Sequence, residues 1–442
     1  MIAEIKKHLY FPVAWYFRFF AQIRLWRWRP RVVVATGSNG KTTLLHLLEA
    51  QIGNRARYSH HANSSYGIPF DILDLHRKSL FKSEWIRLFF LAPLRAFSPV
   101  HKEDIYIVEA DVDRPGEGEF LASFLKPEVV LWVSTSKTHS MNFDHLVMKR
   151  LEESRTGLPR SFFARNDKRR FADVEEAIAY EFGFFAEYCQ KLILINGDLP
   201  LEVEQMKRTK AKVDIITKRI HLVSYEVGGK GTRFQIDGRN YSFKALLPED
   251  IFYSIMMCRK TVEYLGLQFD KTFSKFVLPP GRSSIFQGIK GITIIDSTYN
   301  ATPASVSSIL KMFEAYQVRN KWLILGDMIE LGSSEQEEHE KLAELLMASC
   351  AERIILMGIR VSMFTYLKLI QNRKNYVVEK FEKPREALDY LLSNLQGGET
   401  ILFKGVRFME GIIENLLLDK KDVAKLARRE GIWEKRRKEW GL

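Results

Sequence analysis

A glycine-rich loop near residue 40 carries residue types that bind the phosphates of a nucleotide. It reads Ala-Thr-Gly-Ser-Asn-Gly-Lys-Thr over residues 35–42, between an apolar stretch and a segment of helical pattern. Backbone N–H groups of such a loop, and of the helix start that follows it, point toward phosphates. Lys41 would place its charge on the β- and γ-phosphates, and the Thr42 hydroxyl would bind Mg²⁺. Apart from alanine at position 35, where a first glycine is usual, the spacing predicts a site for ATP or GTP.

The elements that must position this loop alternate between apolar strands and helices, which is typical of a parallel sheet covered on both faces. In the first part of the chain we predict strands at 31–36, 104–110, 128–134 and 191–196, helices at 42–52, 173–190 and 251–266, a polar insertion at 145–172 and short strands over 213–246. Pro279, Pro280 and Gly281 mark a boundary near residue 283. Beyond it we predict strands at 292–296, 322–326, 353–357 and 400–404.

These patterns predict an α/β chain of three parts. Residues 1–30 form a basic, aromatic N-terminal helix, and residues 31–283 form a central P-loop ATP-binding domain with a parallel sheet. Residues 284–442 form a C-terminal α/β domain with a basic tail. The length of 442 residues suits two or three domains.

The composition narrows the surroundings and partners of the chain. Its net charge of +13 favours an anionic partner, such as a nucleotide, a nucleic acid or an anionic membrane. Three widely spaced cysteines argue against a disulfide framework and a zinc ribbon, so a reducing cytoplasm is the expected compartment. No run approaches the ~20 apolar residues of a spanning helix. The basic residues are not interleaved with a motif that reads nucleic acid.

The first 30 residues combine apolar rows with basic side chains, and two interpretations stay open. One is a helix on an anionic membrane surface, with residues 85–98 as a second interfacial element. The other is a helix packed on the next domain, its arginines solvated. The two apolar rows favour burial between protein surfaces. One row contains Ile5, Leu9, Val13, Tyr16, Phe20 and Ile23, and the other contains Trp15, Phe19 and Trp26.

Several stretches resemble, in order along the chain, the motifs of the Mur ligases. Residues 36–43 are similar to TGTNGKT(T/S), residues 63–69 to NNxxGxP, residues 109–117 to ExG…PGEI, and Thr138-His139 to an Ala-His pair. Residues 296–303 are similar to DDSYNANP, and residues 404–407 to KGSR. Residues 326–332 (Gly-Asp-Met-Ile-Glu-Leu-Gly) match the GDMxELG stretch of the D-alanyl-D-alanine-adding (MurF) type. The resemblance covers about residues 31–420.

The resemblance implies a central ATPase domain and a Rossmann-like C-terminal ligase domain that closes over the site. It implies ATP and Mg²⁺ as cofactors and an acyl phosphate as intermediate, in the synthesis of a peptidoglycan precursor. The implied substrates are a nucleotide- or lipid-linked peptide carboxylate and the amine of an amino acid or dipeptide, with no nucleic acid. The expected location is the cytoplasm or the inner face of its membrane. Phosphoryl transfer of this kind depends on positioning and charge neutralisation.

The resemblance also assigns roles to single residues. Those expected to hold the triphosphate are Gly37, Ser38, Asn39, Gly40, Lys41, Thr42 and Thr43. Those expected to bind Mg²⁺ are Thr42, Glu109 and His139, and those expected to act in catalysis are Lys41, His139 and Glu181. Those expected to contact nucleotide are Arg282, Asp296, Tyr299 and Asn300, and those expected to meet substrate are Asn63, Asp327, Lys404 and Arg407. Structural roles stay open for several of them: helix capping for Asp327 and Glu330, an ion pair for Arg407, a strand-end position for Glu109 and a loop position for His139.

Three features depart from the family pattern. Only about 30 residues precede the phosphate loop, where Mur ligases usually carry a uridine-nucleotide-binding domain, and this leaves open a lipid-linked or different acceptor. Phe182 lies near the position of the family's carbamylated lysine, and three alternatives stay open: Glu181 supplies a carboxylate directly, the second metal site is weakened, or the lysine comes from elsewhere, such as Lys168 in the insertion. Residues 252–254 (Phe-Tyr-Ser) replace a His and Asn pattern that lies near adenine in the family.

Two other classes of function stay open. One is a Mur-like amidating subunit that takes ammonia from a partner. Such proteins also lack the uridine domain, but they usually carry a four-cysteine zinc cluster and lack the GDMxELG stretch. The other is a nucleotide-binding scaffold without ligase chemistry, against which the presence of Lys41, Thr42, Glu109 and His139 argues.

Overall fold

The computed structural model describes residues 2–60, 62–77, 82–147, 170–372, 376–405 and 408–442. Most of the predicted polar insertion, and with it Lys168, lies outside these ranges, as does Arg407. The chain divides into two units. The first comprises Met1–Ile220 and Tyr253–Phe276, and the second comprises His221–Phe252 and Val277–Leu442.

Short runs rich in valine, isoleucine and leucine build the sheet of the first unit, as is usual for parallel strands buried on both faces. The strands are β1 (Arg31–Thr36), β2 (Ala56–Tyr58), β3 (Ile105–Ala110), β4 (Val129–Trp132), β5 (Leu192–Asn196) and β6 (Lys212–Ile216). They pair in the order β2-β3-β1-β4-β5-β6, and every pairing is parallel. The parallel sheet predicted for this part of the chain is therefore confirmed.

The helices of this part of the chain lie before, between and after the strands in sequence. They are α1 (Ile2–Trp28), α2 (Lys41–Ile52), α3 (Gly67–Ile72), α4 (Lys82–Phe97), α5 (Glu117–Leu125), α6 (Val174–Tyr188), α7 (Pro200–Gln205), α8 (Lys218–His221) and α9 (Ile251–Tyr264). The predicted helices at 42–52, 173–190 and 251–266 correspond to α2, α6 and α9. Among the described residues, no helix combines the length and the apolar character needed to cross a bilayer.

The N-terminal helix α1 is packed along one side, and its arginines are not simply solvated. The guanidinium of Arg18 donates hydrogen bonds to the Phe120 carbonyl and to Ser123 Oγ. Arg24 is only 3% exposed and pairs with Asp74 at 2.7 Å. The interpretation of a helix packed on the next domain is thus correct for this side of α1, while the expectation of solvated arginines is wrong for Arg18 and Arg24.

The second unit contains two sheets. A three-stranded antiparallel sheet has the order β7-β8-β9, with β7 (Leu222–Gly228), β8 (Gly231–Ile236) and β9 (Arg239–Phe243). The strands of the larger sheet are β10 (Ser284–Gln287), β11 (Thr293–Ser297), β12 (Lys321–Gly326), β13 (Arg353–Met357), β14 (Val377–Phe381) and β15 (Thr400–Lys404). They pair in the order β10-β11-β15-β12-β13-β14. The helices are α10 (Pro303–Ala315), α11 (Glu335–Met347), α12 (Tyr366–Gln371), α13 (Pro384–Asn394), α14 (Met409–Leu416) and α15 (Gly431–Glu439).

The larger sheet of the second unit is mixed, because β10 runs antiparallel to β11. Only a short turn that includes Ile289–Gly291 joins these two strands. A parallel crossover needs a dozen or more residues, so a connection of this length permits only antiparallel pairing. The remaining strand pairs are parallel, as the predicted alternation of strands and helices requires.

Candidate active site

The carboxyl ends of three neighbouring strands place the candidate site in the first unit. In the parallel register, Thr36 at the end of β1 lies beside Ala110 on β3 and Trp132 on β4. The phosphate loop therefore leaves the sheet next to the segments that begin at Asp111 and Val133. Ligands of open parallel sheets bind at such an edge.

The phosphate loop has a backbone conformation that requires glycine. Gly37 and Gly40 have φ values of +119° and +86°, which side-chain-bearing residues rarely adopt. A Cβ on Gly37 would lie 2.4 Å from the carbonyl oxygen of Ser134. The loop therefore passes so close to the segment after β4 that no larger residue fits at position 37.

Hydrogen bonds fix the middle of the loop to residues 134–136. The Ser38 N–H donates to the Ser134 carbonyl oxygen at 2.8 Å, and the Asn39 N–H donates to Ser134 Oγ at 2.8 Å. The Asn39 side-chain amide donates to Ser136 Oγ at 2.9 Å. The loop is thus held in shape by protein contacts before any phosphate binds.

Lys41, Thr42 and Thr43 begin α2 and point in different directions. The buried Lys41 ammonium donates a hydrogen bond to the Gly37 carbonyl and forms an ion pair of 2.9 Å with Asp111. The Thr42 hydroxyl donates to both carboxylate oxygens of Glu109, at 3.1 and 3.0 Å. Thr43 is buried in the body of the helix. The structure therefore brings together Thr42 and Glu109, two residues of this sheet edge that the sequence predicts as Mg²⁺ ligands.

His139 lies in a second cluster beside Lys41. Its Nε2 atom is 3.2 Å from Asp113 Oδ1, and ligand atoms of Asp111, Asp113 and His139 all lie within 4.8 Å of one another. Burial, together with the charge of Asp111, raises the pKa of Asp113 to about 6. Two carboxylates and an imidazole at this spacing form a donor set for a divalent cation.

Asp111 and Asp113 are not among the site residues that the sequence predicts. The signal for Asp111 was its position two residues after Glu109, where the family motif has glycine.

Glu181 lies apart from this cluster. Its two carboxylate oxygens accept hydrogen bonds from the N–H groups of Gly116, at 2.8 Å, and Gly118, at 3.1 Å. These amides open α5, so the side chain caps a helix start that would otherwise be unsatisfied. Burial raises the pKa of Glu181 to about 7, although both hydrogen bonds act in the opposite direction. The structure does not bring Glu181 to the donor set of His139.

Asn63 and Glu117 shape the side of the site that follows β2. The Asn63 carbonyl oxygen accepts the N–H of Asp111 at 2.9 Å, so the predicted substrate residue adjoins the donor set. Glu117 is fully buried and accepts hydrogen bonds from Ser65 Oγ at 2.6 Å and from the Asp113 N–H at 3.0 Å. Glu117 lies in the motif segment 109–117, but the sequence predicts no role for it. The structure shows that it links the two motif segments.

In the second unit, the predicted nucleotide contacts cluster around Tyr299. The Tyr299 N–H donates to the carbonyl of Gly281, whose φ is +69°. The Arg282 guanidinium lies 4.5 Å from the centre of the Tyr299 ring. Asn300 is exposed, and its Oδ1 accepts the N–H of Ala301 at 2.8 Å. Gly281 and the segment after β11 are therefore adjacent.

Asp296 and Lys404 are buried charged groups behind this cluster. Burial raises the pKa of Asp296 to about 6, and its Oδ1 accepts the Thr298 hydroxyl at 2.6 Å. Burial, reinforced by the charge of Arg282, lowers the pKa of Lys404 to about 7, and Asp296 acts in the opposite direction. Arg428, which sequence reasoning missed, donates to the carbonyls of Thr298 and Tyr299 and fixes this segment.

Asp327, in the Gly-Asp-Met-Ile-Glu-Leu-Gly stretch, lies at the start of the helical turn Val361–Thr365, which precedes α12. Its Oδ1 accepts the Val361 N–H at 2.9 Å, and its Oδ2 lies 3.5 Å from Arg360. This is the capping alternative for Asp327. Glu330 has a φ of +65° in a loop before α11.

Comparisons with known proteins agree with this architecture. The family model "Mur ligase, glutamate ligase domain" matches residues 281–407. UDP-N-acetylmuramoyl-tripeptide–D-alanyl-D-alanine ligase of Bacillus subtilis is 21% identical, over 88% of this chain and 76% of the relative. The enzyme of the same name from Borreliella burgdorferi is 22% identical, over 85% of this chain and 72% of the relative.

Two solved structures share the fold at low sequence identity. MurF ligase of Thermotoga maritima, in complex with ADP, superposes with a TM-score of 0.70 at 19% identity and covers 93% of this chain and 84% of that chain. MurF of Acinetobacter baumannii has a TM-score of 0.67 at 16% identity and covers 90% of this chain and 78% of that chain. The expected α/β architecture is confirmed by both.

Proposed function

We propose that this chain, which belongs to the Mur ligase family, is an ATP-dependent ligase that joins a carboxylate to an amine through an acyl phosphate. The observation that carries the proposal is the pairing of a shaped phosphate loop with a carboxylate and imidazole cluster at one sheet edge. Lys41 belongs to both, through its contacts with Gly37 and Asp111. Cation ligands beside the phosphate loop support transfer of a phosphoryl group at this edge of the sheet.

The loop and α2 hold the triphosphate in this proposal. The N–H groups at the start of α2 and the Lys41 ammonium face the phosphates, where the helix dipole also favours negative charge. Phosphate oxygens then replace Asp111 as the partner of Lys41. Thr42 and Glu109, already joined by hydrogen bonds, bind the Mg²⁺ that accompanies the nucleotide.

A second Mg²⁺ fits the donor set of Asp111, Asp113 and His139. The family resemblance implies a carbamylated lysine as a source of negative oxygen, and Phe182 lies near its position. The two aspartates offer such oxygens within 4.8 Å of the His139 nitrogen. A cation there would neutralise charge on the transferred phosphoryl group. We therefore assign Glu181 a positioning role, since its oxygens hold the start of α5.

The reaction balances as two displacements. A substrate carboxylate oxygen attacks the γ-phosphorus, the bond to the β-phosphate oxygen breaks, and ADP leaves. The amine then attacks the acyl carbon, loses a proton, and expels inorganic phosphate together with the former carboxylate oxygen. The chain contributes orientation and charge neutralisation to both steps.

The substrates follow from the names of the relatives. Enzymes that match most of this chain are named for a UDP-N-acetylmuramoyl-tripeptide and D-alanyl-D-alanine. We propose the same amine and a peptide carboxylate of the same class, in peptidoglycan precursor synthesis, with a lipid-linked acceptor as the second candidate. Use of ATP supports a cytoplasmic location for the reaction. In the second unit, Lys404 and Arg282 offer positive charge to an anionic group of nucleotide or acceptor.

Release of inorganic phosphate from ATP, measured in the presence of Mg²⁺, tests this function. The purified chain is mixed with UDP-N-acetylmuramoyl-tripeptide or a lipid-linked muramoyl peptide, and with D-alanyl-D-alanine, single amino acids or ammonium. We expect release that requires a peptide acceptor and D-alanyl-D-alanine together. Lys41→Ala should abolish it, while Lys275→Ala, at an exposed lysine of the same unit, should leave it unchanged.

Other outcomes would contradict the proposal. Phosphate release that ammonium supports in place of D-alanyl-D-alanine, with the acceptor present, would indicate an amidating subunit. ATP binding without release in any combination would indicate a nucleotide-binding scaffold.

A further inference from the structure

Helix α1 leaves a stripe of aromatic rings in contact with solvent. Trp15, Phe19 and Trp26 are 51%, 60% and 65% exposed. Their spacing of i, i+4 and i+11 puts them on one side of the helix, away from the buried side that includes Phe17 and Ala21. Single exposed apolar residues are ordinary, but a contiguous stripe of large rings marks an interaction surface.

Helix α4 carries a matching stripe. Ile86, Phe90, Leu94 and Phe97 are between 62% and 72% exposed. They recur at i, i+4, i+8 and i+11, opposite the fully buried Ala92. The pattern is that of a helix with one apolar face in the protein and a second apolar face outside it.

The two helices lie side by side in the first unit. The Tyr16 hydroxyl donates to the Phe89 carbonyl at 2.7 Å, and Arg27 donates to the Ala96 carbonyl at 2.8 Å. Each stripe lies on the outward side of its own helix, so the two stripes form one outer surface. We call this surface the α1–α4 face, defined by Trp15, Phe19, Trp26, Ile86, Phe90, Leu94 and Phe97.

On α1 and α4 themselves, the charge beside the two stripes has one sign. Residues 9–28 and 85–97 contain no aspartate or glutamate. Four exposed arginines flank the apolar stripes: Arg27, Arg29, Arg87 and Arg95. Aromatic rings beside arginines, without acidic residues, are the composition of elements that lie at the level of lipid headgroups. Anionic lipids attract such basic groups.

We propose that the α1–α4 face binds an anionic lipid surface, with both helices lying in the plane of the headgroups. No described helix is suited to crossing the bilayer, which agrees with attachment at its surface. The apolar rings would enter the boundary between headgroups and acyl chains, and the arginines would meet the headgroups. This inference concerns binding alone and does not depend on the proposed ligase activity.

Co-sedimentation of the full chain with vesicles tests the proposal. The vesicles contain phosphatidylcholine alone or phosphatidylcholine with phosphatidylglycerol. We expect binding to the anionic vesicles that is at least about tenfold tighter than binding to neutral ones and that weakens at high salt. Similar binding to both kinds of vesicle, or to neither, would overturn the proposal.

Two sets of variants separate the apolar and charged contributions. Phe19→Ser combined with Phe90→Ser should weaken binding to anionic vesicles at least about tenfold. Leu418→Ser, at a leucine 66% exposed in the second unit, should bind like the unmodified chain. Arg87→Gln with Arg95→Gln should remove most of the preference for anionic vesicles, whereas Lys244→Gln, at an exposed lysine of the second unit, should not.

Circular dichroism melting and sedimentation velocity complete the experiment. Unchanged melting of the variants shows that weaker binding reflects the lost surface and not unfolding. If the chain is a dimer that Phe19→Ser with Phe90→Ser dissociates, and it binds no vesicle, the α1–α4 face joins two copies and the lipid proposal is wrong.

Discussion

Asp113, which is partly exposed, and Glu181, which is buried, are carboxylates whose neighbours differ. Asp113 faces His139 across 3.2 Å, and its pKa is raised to about 6 because the group is partly buried and another aspartate lies nearby. Glu181 instead accepts two backbone N–H groups at the start of α5. The first arrangement suits a cation ligand, and the second suits a side chain that holds a helix in place.

Substitution of these two carboxylates should therefore give different kinetics. We expect Asp113→Asn to lower kcat by about 10²-fold or more and to raise the Mg²⁺ concentration needed, because a cation ligand loses its charge. Glu181→Gln should lower kcat by only about threefold, because the side chain lies outside the donor set, although the amide oxygen can accept only one of the two N–H groups. Initial rates over a Mg²⁺ titration give kcat and the Mg²⁺ concentration needed for each variant. A complete loss of activity in Glu181→Gln with unchanged melting would make Glu181 the missing ligand.

Lys404 should make binding of an anionic substrate depend on pH. Its pKa is lowered to about 7 by burial and by Arg282. The side chain is charged below that pH and neutral above it, so its attraction for phosphate or carboxylate falls as pH rises from about 6 to 8. We expect KM for ATP or for the acceptor to rise severalfold over this interval, and to rise less in Lys404→Met.

Titration of the substrate itself affects Lys404→Met and the unmodified chain equally, so the difference between their pH profiles reports on Lys404. Lys311→Met, at an exposed lysine on α10, should keep the original pH profile. Identical profiles for Lys404→Met and the unmodified chain would show that Lys404 does not meet the anionic group.

The sequence motifs identified residues at the phosphate loop, but they did not identify the residues that other parts of the chain bring into contact with the site. Thr42 and Glu109 could be predicted together, because each lies at a fixed position relative to a strand end of the same sheet. Asp113 could not, since its position within a loop of the motif carries no periodic signal. Arg428 lies far along the chain from Thr298, and only the tertiary structure brings its guanidinium to that carbonyl.

At the scale of elements, the phosphate loop depends on one close approach of two backbone segments. Gly37→Ala would place a Cβ 2.4 Å from the Ser134 carbonyl oxygen at a φ of +119°. We expect ATP affinity to fall at least about tenfold, or about 1.4 kcal/mol, while the sheet stays folded. Gly266→Ala is the control, because its φ of +74° is also positive but nothing lies within 4 Å of the added Cβ. Calorimetric titration with ATP measures the affinity of each variant. Equal affinities for Gly37→Ala and the unmodified chain would contradict this account of the loop.

The attachment of α1 depends on an ion pair whose arginine is buried. Arg24, 3% exposed, pairs with Asp74 and also donates to the Pro99 carbonyl at 3.0 Å. We expect Arg24→Met to cost about 2 kcal/mol, because the charge-assisted hydrogen bonds to Asp74 and to the Pro99 carbonyl are lost, while Asp74 keeps Arg57 as a partner. Amide hydrogen exchange should then accelerate along α1 first. Arg29→Met, at an exposed arginine just after the helix, should leave exchange unchanged, and equal acceleration in both variants would contradict a specific role of Arg24.

Most of the elements could be predicted from hydrophobic periodicity, and the exceptions have physical reasons. The antiparallel pairing of β10 follows from the length of a turn, which periodicity does not report. Helix α1 carries apolar rows on two sides, so its pattern fitted both interpretations of the first 30 residues. The structure shows one side packed and the other exposed.

At the scale of the whole molecule, the fold is similar to that of two MurF structures, with TM-scores of 0.70 and 0.67 despite identities below 20%. The fold is thus retained where most side chains differ. Fold alone does not assign chemistry. The proposed activity therefore depends on Lys41, Thr42, Glu109 and the aspartate and histidine donor set, and the division into domains at residue 283 stays a prediction.

Transfer of oxygen from the acceptor to phosphate tests the central claim most directly. The acceptor peptide is labelled with ¹⁸O in its reacting carboxylate and incubated with ATP, Mg²⁺, D-alanyl-D-alanine and the chain, and the products are examined by mass spectrometry. An acyl phosphate requires that each amide bond formed delivers one labelled oxygen to inorganic phosphate. Label in AMP, or amide formation with unlabelled phosphate, would contradict the proposed mechanism.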